Sequence, residues 1–286
     1  MHFVASYPKS GSAWVRLVHA TYSAGDTRSR DLTQAQEGDN HVARIPQYSD
    51  ADPYHYQSVC PFPIEQADFP TEARLRPAAM LVLEREISLS GTSIPPLVNS
   101  HHLYEQVDTL PLWNDQWTDK VVNPVRDPRE VCCLYADYRN ESYEETAAFM
   151  AESYARTGDD ETDRVRHFIS TWSNHVQRWL DTEDFPVYTV RHRDLQTHPV
   201  EVFYDIFDFL EVPDLDESRI QEAVENARLG TLQTAGAGPD SPEAHGQQDR
   251  FSQPGQTDGW KDELPPDVAR TIEEDHGRVM EALGYL

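Results

Sequence analysis

The chain has 286 residues, enough for one large domain or one domain with a sizeable insertion, and it carries a formal net charge of −26. That balance argues against nucleic-acid polymers as partners, because such surfaces need clustered Lys and Arg, and no apolar run approaches the length of a membrane span. The only lysines are Lys9, Lys120 and Lys261, and an acidic, lysine-poor surface spread over the whole chain predicts a halophilic protein whose self-repulsion is relieved by salt.

The first element is a short buried strand, Phe3 to Ser6. No basic or apolar leader precedes it, so no signal peptide is expected. Pro8 and Gly11 then make a tight loop. A helix follows from Gly11 with Trp14, Leu17, Val18, Thr21 and Tyr22 on one face, and Gly25 as its C-cap. Strand, Gly-containing loop with a lysine, then helix is the construction that binds phosphate, since loop N–H groups and the positive helix end converge on one anion. It is not the Walker A loop, because Lys9 precedes the glycine. Tyr7-Pro8-Lys9-Ser10-Gly11-Ser12-Ala13-Trp14 instead resembles the 5′-phosphosulfate loop, Tyr-Pro-Lys-Ser-Gly-Thr-Thr-Trp, of the sulfotransferases that use 3′-phosphoadenosine-5′-phosphosulfate (PAPS). The resemblance implies that Lys9, Ser10, Gly11, Ser12, Ala13 and Trp14 bind the donor. Ala13 lacks the family's second hydroxyl. Trp14 stacks on adenine or packs in the core.

Residues 26 to 80 read as an irregular polar insertion, with a turn cluster at Ser49–Pro53. It covers the site or merely connects. Arg74 and Arg76 are expected to cap a short helix running into 78–83. Pro96 to His102 reads as a second strand ending in polar residues, and strand ends at the carboxyl edge carry the chemistry in doubly wound sheets. This stretch resembles the family's Leu-Val-Lys-Thr-His, which makes His101 the general base, with His102 the candidate if the register slips by one. A histidine suits the task because its ordinary pKa of about 6.5 leaves it largely neutral at physiological pH. The family's lysine is replaced by Asn99.

Lys120 to Val131 is the next strand-to-helix unit. Asp127 is placed as N-cap, Pro128 at the first helical position, and Glu130 completes a capping-box-like pair. Arg126 thus stands at a strand end before a helix, where its fork can grip phosphate or pair with Asp127 or Glu130. The stretch resembles the family's 3′-phosphate motif, Arg-Asn-Pro-Lys-Asp-Val, which assigns Arg126 to that phosphate. The family's serine eight residues on is Leu134 here.

A helix is expected over 142–157. A stronger one is expected over Asp163–Leu180, with Val165, Phe168, Ile169, Trp172, Val176 and Trp179 on one face. Trp172 to Trp179 resembles the family's Trp-x-x-His-Val-x-x-Trp, with His175 as core. Phe185 to Leu195 is read as a strand and its terminal loop, resembling a family strand whose tyrosine lies by the adenine. His192 occupies that position. A helix runs from about 200 to 210. The Gly-, Pro- and Ser-rich stretch 235–257 is a loop by composition. With Trp260-Lys261 it resembles the family loop that closes over the 3′-phosphate, which brings in Arg250 and Gly255. A last helix, Pro265 to Leu283, is expected to pack on the sheet.

Cys60, Cys132 and Cys133 form no metal-ligand spacing, and a reducing cytoplasm fits them. Together these elements predict an α/β fold, a mostly parallel sheet flanked by helices in a single domain over 1–286. The resemblance implies the P-loop-kinase-like sulfotransferase fold, PAPS as co-substrate, a small-molecule hydroxyl or amine acceptor, and no metal. The sequence leaves the acceptor and the oligomeric state open. The alternatives are a weakly active or non-catalytic relative that binds 3′,5′-ADP (PAP), a nucleotide kinase, and a purely structural α/β domain.

Overall fold

The computed structural model describes residues 1–24, 48–158, 165–234 (backbone alone for 229–234) and 258–286. Its centre is a five-stranded parallel sheet. In chain order the strands are β1 (His2–Ala5), β2 (Tyr48–Ser49), β3 (Leu97–Ser100), β4 (Lys120–Val125) and β5 (Val187–Arg191), and they lie side by side as β2-β3-β1-β4-β5. The principal helices are α1 (Ser12–Ala24), α2 (Phe69–Leu89), α3 (Pro128–Arg139), α4 (Tyr143–Met150), α5 (Trp172–Leu180), α6 (Pro199–Phe209), α7 (Glu217–Thr234) and α8 (Pro266–Leu283).

Both faces of the sheet are buried, as helix-covered parallel strands require. Phe3 and Ala5 of β1 join Val98, Val121, Trp113 and Trp179 on one face. Val4 and Val122 point the other way, toward α1 and α6, and meet Val18, Phe203 and Phe207. A third cluster gathers at the carboxyl end of β4, where Val125 and Tyr7 pack with α3, α5 and α8.

Several expectations need correction. The buried side of α1 is Val15, Val18, His19 and Tyr22, with Trp14 and Leu17 only partly covered. His19, polar by type, lies inside the buried side, which is therefore turned from the one that the apolar residues mark. Residues 26–47 of the expected insertion lie outside the described residues, and 48–80 are more ordered than they read. Pro53–Gln57 is helical, and α2 runs through Pro77, capped by the Asp68 carboxylate, which accepts from the Thr71 N–H at 3.0 Å. Arg76 is therefore mid-helix and buried, not a cap. The helix expected over 142–157 ends at Met150, and Val165, Phe168 and Ile169 precede α5 rather than sharing its face. His167–Phe168 forms a two-residue antiparallel ladder with Arg156–Thr157. α7 is a helix that the sequence pattern does not predict. The final helix packs on α3, α4 and α5 rather than on the sheet. His175 is fully buried among them, in the core role expected. Gly25 lies outside the described residues.

Candidate active site

The order β2-β3-β1-β4-β5 puts a topological switch between β1 and β4, since the chain leaves β1 toward one sheet edge and β4 toward the other. Open α/β sheets bind ligands in the crevice at such points, beyond the carboxyl ends of the strands. The β1–β3 ladder runs on to Ala5↔Ser100, but the β1–β4 ladder stops at Val4↔Val122. Beyond it, the Asn123 side-chain amide donates to the Ala5 carbonyl at 2.7 Å and pins the end of β1.

The loop after β1 turns on Lys9, at φ 64°, and Gly11, at φ 110°. A Cβ on Gly11 would stand 2.7 Å from Cδ2 of His192. Glycine is thus required twice over, by conformation and by contact. α1 starts at Ser12, so its first N–H groups have no intrahelical acceptor. The N–H groups of Gly11, Ser12, Ala13 and Trp14 have no acceptor anywhere among the described residues. The buried Ser10 hydroxyl also lacks a partner. This cradle of unpaired donors at a helix N-terminus fits a phosphate or sulfate group. The Lys9 ammonium rests 4.0 Å from the centroid of the Tyr138 ring.

Arg126, at the end of β4, reaches this loop: its Nη1 donates to the Lys9 carbonyl at 3.1 Å. Its Nε donates to Glu130 at 3.0 Å, the ion pair that the sequence left as an alternative. The other carboxylate oxygen of Glu130 accepts the Asp258 N–H at 3.0 Å. Glu130 therefore does not close a capping box, although Asp127 does cap α3. Burial raises the Glu130 carboxyl above its ordinary pKa, and Arg126 offsets part of that rise. Arg129 pairs with Asp127 and Glu273 and lies 4.0 Å from the centroid of the Trp260 ring, which fastens the segment after Asp258 to α3.

His101 follows β3. Its Nδ1 lies 2.8 Å from the Ser6 carbonyl, and a carbonyl only accepts, so Nδ1 carries the proton and Nε2 keeps its lone pair. Burial pushes its pKa down to about 3. His102 differs. It is buried, and its Nδ1 accepts the Phe168 N–H at 3.2 Å, which leaves the proton on Nε2. Of the two, His101 has the nitrogen able to take a proton.

The family model for the sulfotransferase domain matches residues 2–284. The chain belongs to the sulfotransferase family. Among solved structures it is similar to mouse sulfotransferase SULT7A1 complexed with PAP, at 16% identity and a TM-score of 0.55, covering 97% of this chain and 83% of that one. It is also similar to retinol dehydratase in complex with androsterone and the inactive cofactor PAP, at 15% identity and a TM-score of 0.55, covering 98% and 80% respectively. These likenesses show the sulfotransferase fold. No curated relative matches significantly. Among the described residues no helix is long and apolar enough to cross a membrane.

Other residues singled out in the sequence of this sulfotransferase sit as follows. Trp14 is partly buried and meets Phe203 edge-on, with centroids 6.4 Å apart. His192 is buried against Gly11, so its ring closes the underside of the loop. Leu134 packs in the core. The Oδ1 of Asn99 is buried without a partner. Arg250 and Gly255 lie outside the described residues.

Sequence reasoning missed Tyr138, under Lys9, and a buried group of Asp50, Arg76 and His167. No motif marks these positions. The signal that was present is composition, since charged residues inside a stretch dismissed as irregular need an explanation. Asp50, His102 and His167 offer ligand-type atoms within 4.8 Å of one another. Their protons argue against a cation there. His167 donates from Nε2 to Asp50, His102 holds its proton on Nε2, and Arg76 already places a full charge on Asp50.

Proposed function

We propose that this sulfotransferase moves a sulfuryl group from PAPS to a hydroxyl or amine of a small acceptor and releases 3′,5′-ADP. The observation that carries this reading is the row of unpaired N–H groups from Gly11 to Trp14, beside Lys9 and within one hydrogen bond of Arg126. Those donors, the Ser10 and Ser12 hydroxyls and Lys9 would hold the 5′-phosphosulfate. They would also stabilise the negative charge that grows on the departing phosphate oxygen. His101 Nε2 accepts the acceptor's proton as the acceptor oxygen or nitrogen bonds to sulfur. The sulfur–oxygen bond to the 5′-phosphate then breaks, and its electron pair goes to that phosphate. Positioning and charge stabilisation dominate, as in phosphoryl transfer.

Arg126 would recognise the 3′-phosphate with its fork, and Arg250 and Gly255 are assigned to the loop closing over it. Trp14 and His192 are assigned to the adenine side. The chain is read as one domain over 1–286, a reading supported by the family match from 2 to 284. A cytoplasmic, salt-adapted enzyme is supported by three buried cysteines that form no disulfide and by a net charge of −26.

A second reading, a relative that binds PAP but transfers slowly, is favoured by the Arg126–Glu130 pair and by Asn99 in place of lysine. Titration calorimetry with 3′,5′-ADP, ADP and ATP, followed by a radiolabelled-sulfate transfer assay from PAPS over a panel of phenols, sugars and amines, tests both. Selective binding of 3′,5′-ADP with transfer supports the first reading, and binding without transfer supports the second. Selective binding of ATP with magnesium contradicts both.

A further inference from the structure

The segment between α1 and β3 brings a charged group to the back of His101. β2 pairs with β3 at Tyr48↔Val98 and Ser49↔Asn99, and the Asp50 N–H then donates to the Asn99 carbonyl at 3.1 Å. These bonds set a fully buried carboxylate beside the strand end that bears His101. Both of its oxygens are used. Oδ2 accepts from Arg76 Nη2 at 2.6 Å, and Oδ1 accepts from His167 Nε2 at 2.8 Å. Arg76 is anchored in turn, with Nε on the Leu112 carbonyl at 2.6 Å and Nη1 on the Tyr56 hydroxyl at 3.5 Å.

Because Nε2 of His167 donates to a carboxylate, its Nδ1 is the acceptor, and it takes the Thr157 hydroxyl at 3.2 Å. The same Thr157 oxygen accepts the His167 backbone N–H at 3.3 Å. The ring is held at both nitrogens. It meets His101 edge to face, with centroids 5.4 Å apart at 77°, and His102 likewise at 4.8 Å and 72°.

Burying an ion pair contributes little compared with well-packed apolar side chains. A fully satisfied polar network does, however, fix one geometry. The group that benefits is His101, whose usefulness depends on ring orientation, since a flip would put Cδ2 where Nδ1 now donates to the Ser6 carbonyl and would move Nε2 to the place of Cε1.

We propose that Asp50 and His167 are positioning residues for His101: the carboxylate, anchored by Arg76, clamps the His167 ring, which keeps His101 in its Nδ1–H form with Nε2 turned to the acceptor. No proton moves to His167 or Asp50 in this scheme.

The inference rests on His101 being the base, and the test separates the two. Nitrogen-15 NMR of histidine-labelled wild-type protein, with the His101 signals identified by their loss in His101→Ala, should show a single Nδ1–H tautomer near neutral pH. Averaging between tautomers in the wild type would overturn the proposal, and this measurement needs no folded His167 variant. In His167→Gln the amide keeps a donor for Asp50 but the ring is gone. There kcat should fall about 10- to 100-fold, with 3′,5′-ADP affinity and acceptor KM unchanged and the His101 tautomers averaged. A His167→Gln enzyme with wild-type kcat and a single tautomer would also overturn the proposal. Full transfer by His101→Ala would instead remove the base assignment itself.

Discussion

The Arg126 guanidinium donates to the Lys9 carbonyl at 3.1 Å, although 117 positions separate the two residues in the chain. One hydrogen bond thus joins the end of β4 to the loop after β1, across the crevice where the two strands part. It brings both residues together at the carboxyl edge of the sheet, where the proposed function needs the two phosphates of one nucleotide to be held. Replacing Arg126 by Lys keeps a charge and loses the fork. The expected result is 3′,5′-ADP binding weakened by about 10- to 100-fold, the worth of charge-assisted hydrogen bonds of about 1.5–3 kcal/mol. Binding of 5′-AMP should change far less. Calorimetry with both nucleotides measures the ratio, and equal losses would show that Arg126 does not read the 3′-phosphate.

Gly11→Ala should damage fold and site together. The φ of 110° is costly for alanine, and the new methyl would lie 2.7 Å from His192. A loss of about 1–3 kcal/mol is expected from the backbone alone. Trimming His192 in a Gly11→Ala/His192→Ala double variant should recover only part of it. Urea melts of both variants decide this. Full recovery in the double variant would mean that the conformation at Gly11 carries no strain.

Much of this architecture can be read from the sequence, and the reason is local chemistry. Tyr7 to Trp14 and Arg126 to Val131 are strand-to-helix junctions whose Pro, Gly and Asp residues dictate the turn and the cap, so their places follow from short-range rules. The Asp50–Arg76–His167 group is different. Its members come from three separated segments and meet only through tertiary packing, and nothing in the neighbours of Arg76 indicates that a mid-helix arginine faces inward. His19 is a related case: a histidine looks polar in a helical pattern, yet here it lies in the core against Phe207. Glu130 shows the reverse case. Its spacing from Asp127 suits a capping box, but a buried arginine four residues earlier competes for the carboxylate and wins.

Acid should unfold the protein early. Burial pushes His19, His101 and His175 down to about 3 and His276 to about 4. The folded chain keeps these rings neutral, whereas the unfolded chain protonates them below about 6.5. Their contribution is therefore complete above about pH 6.5 and is lost as pH falls from there toward about 3 (about 4 for His276), at up to about 1.4 kcal/mol per pH unit for each ring. Urea midpoints should fall steeply over that window and stay level from 6.5 to 7.5. A flat profile down to pH 5 would contradict the burial of these histidines.

Low salt should also destabilise the chain. With a net charge of −26, carboxylate repulsion acts over about 30 Å at 0.01 M salt and about 3 Å at 1 M. Far-ultraviolet circular dichroism during dialysis into dilute buffer should show loss of folded signal that returns with added potassium chloride. Unchanged folding in dilute buffer would remove the case for salt adaptation.

A crystal structure with 3′,5′-ADP tests the central claim most directly. The 5′-phosphate should sit on the N–H groups of Gly11 to Trp14 beside the Lys9 ammonium, with the 3′-phosphate within hydrogen-bonding distance of Arg126 and the acceptor side of the cleft facing His101 Nε2. A nucleotide bound away from the β1–β4 crevice, or one whose 3′-phosphate lies beyond the reach of Arg126, would contradict the account.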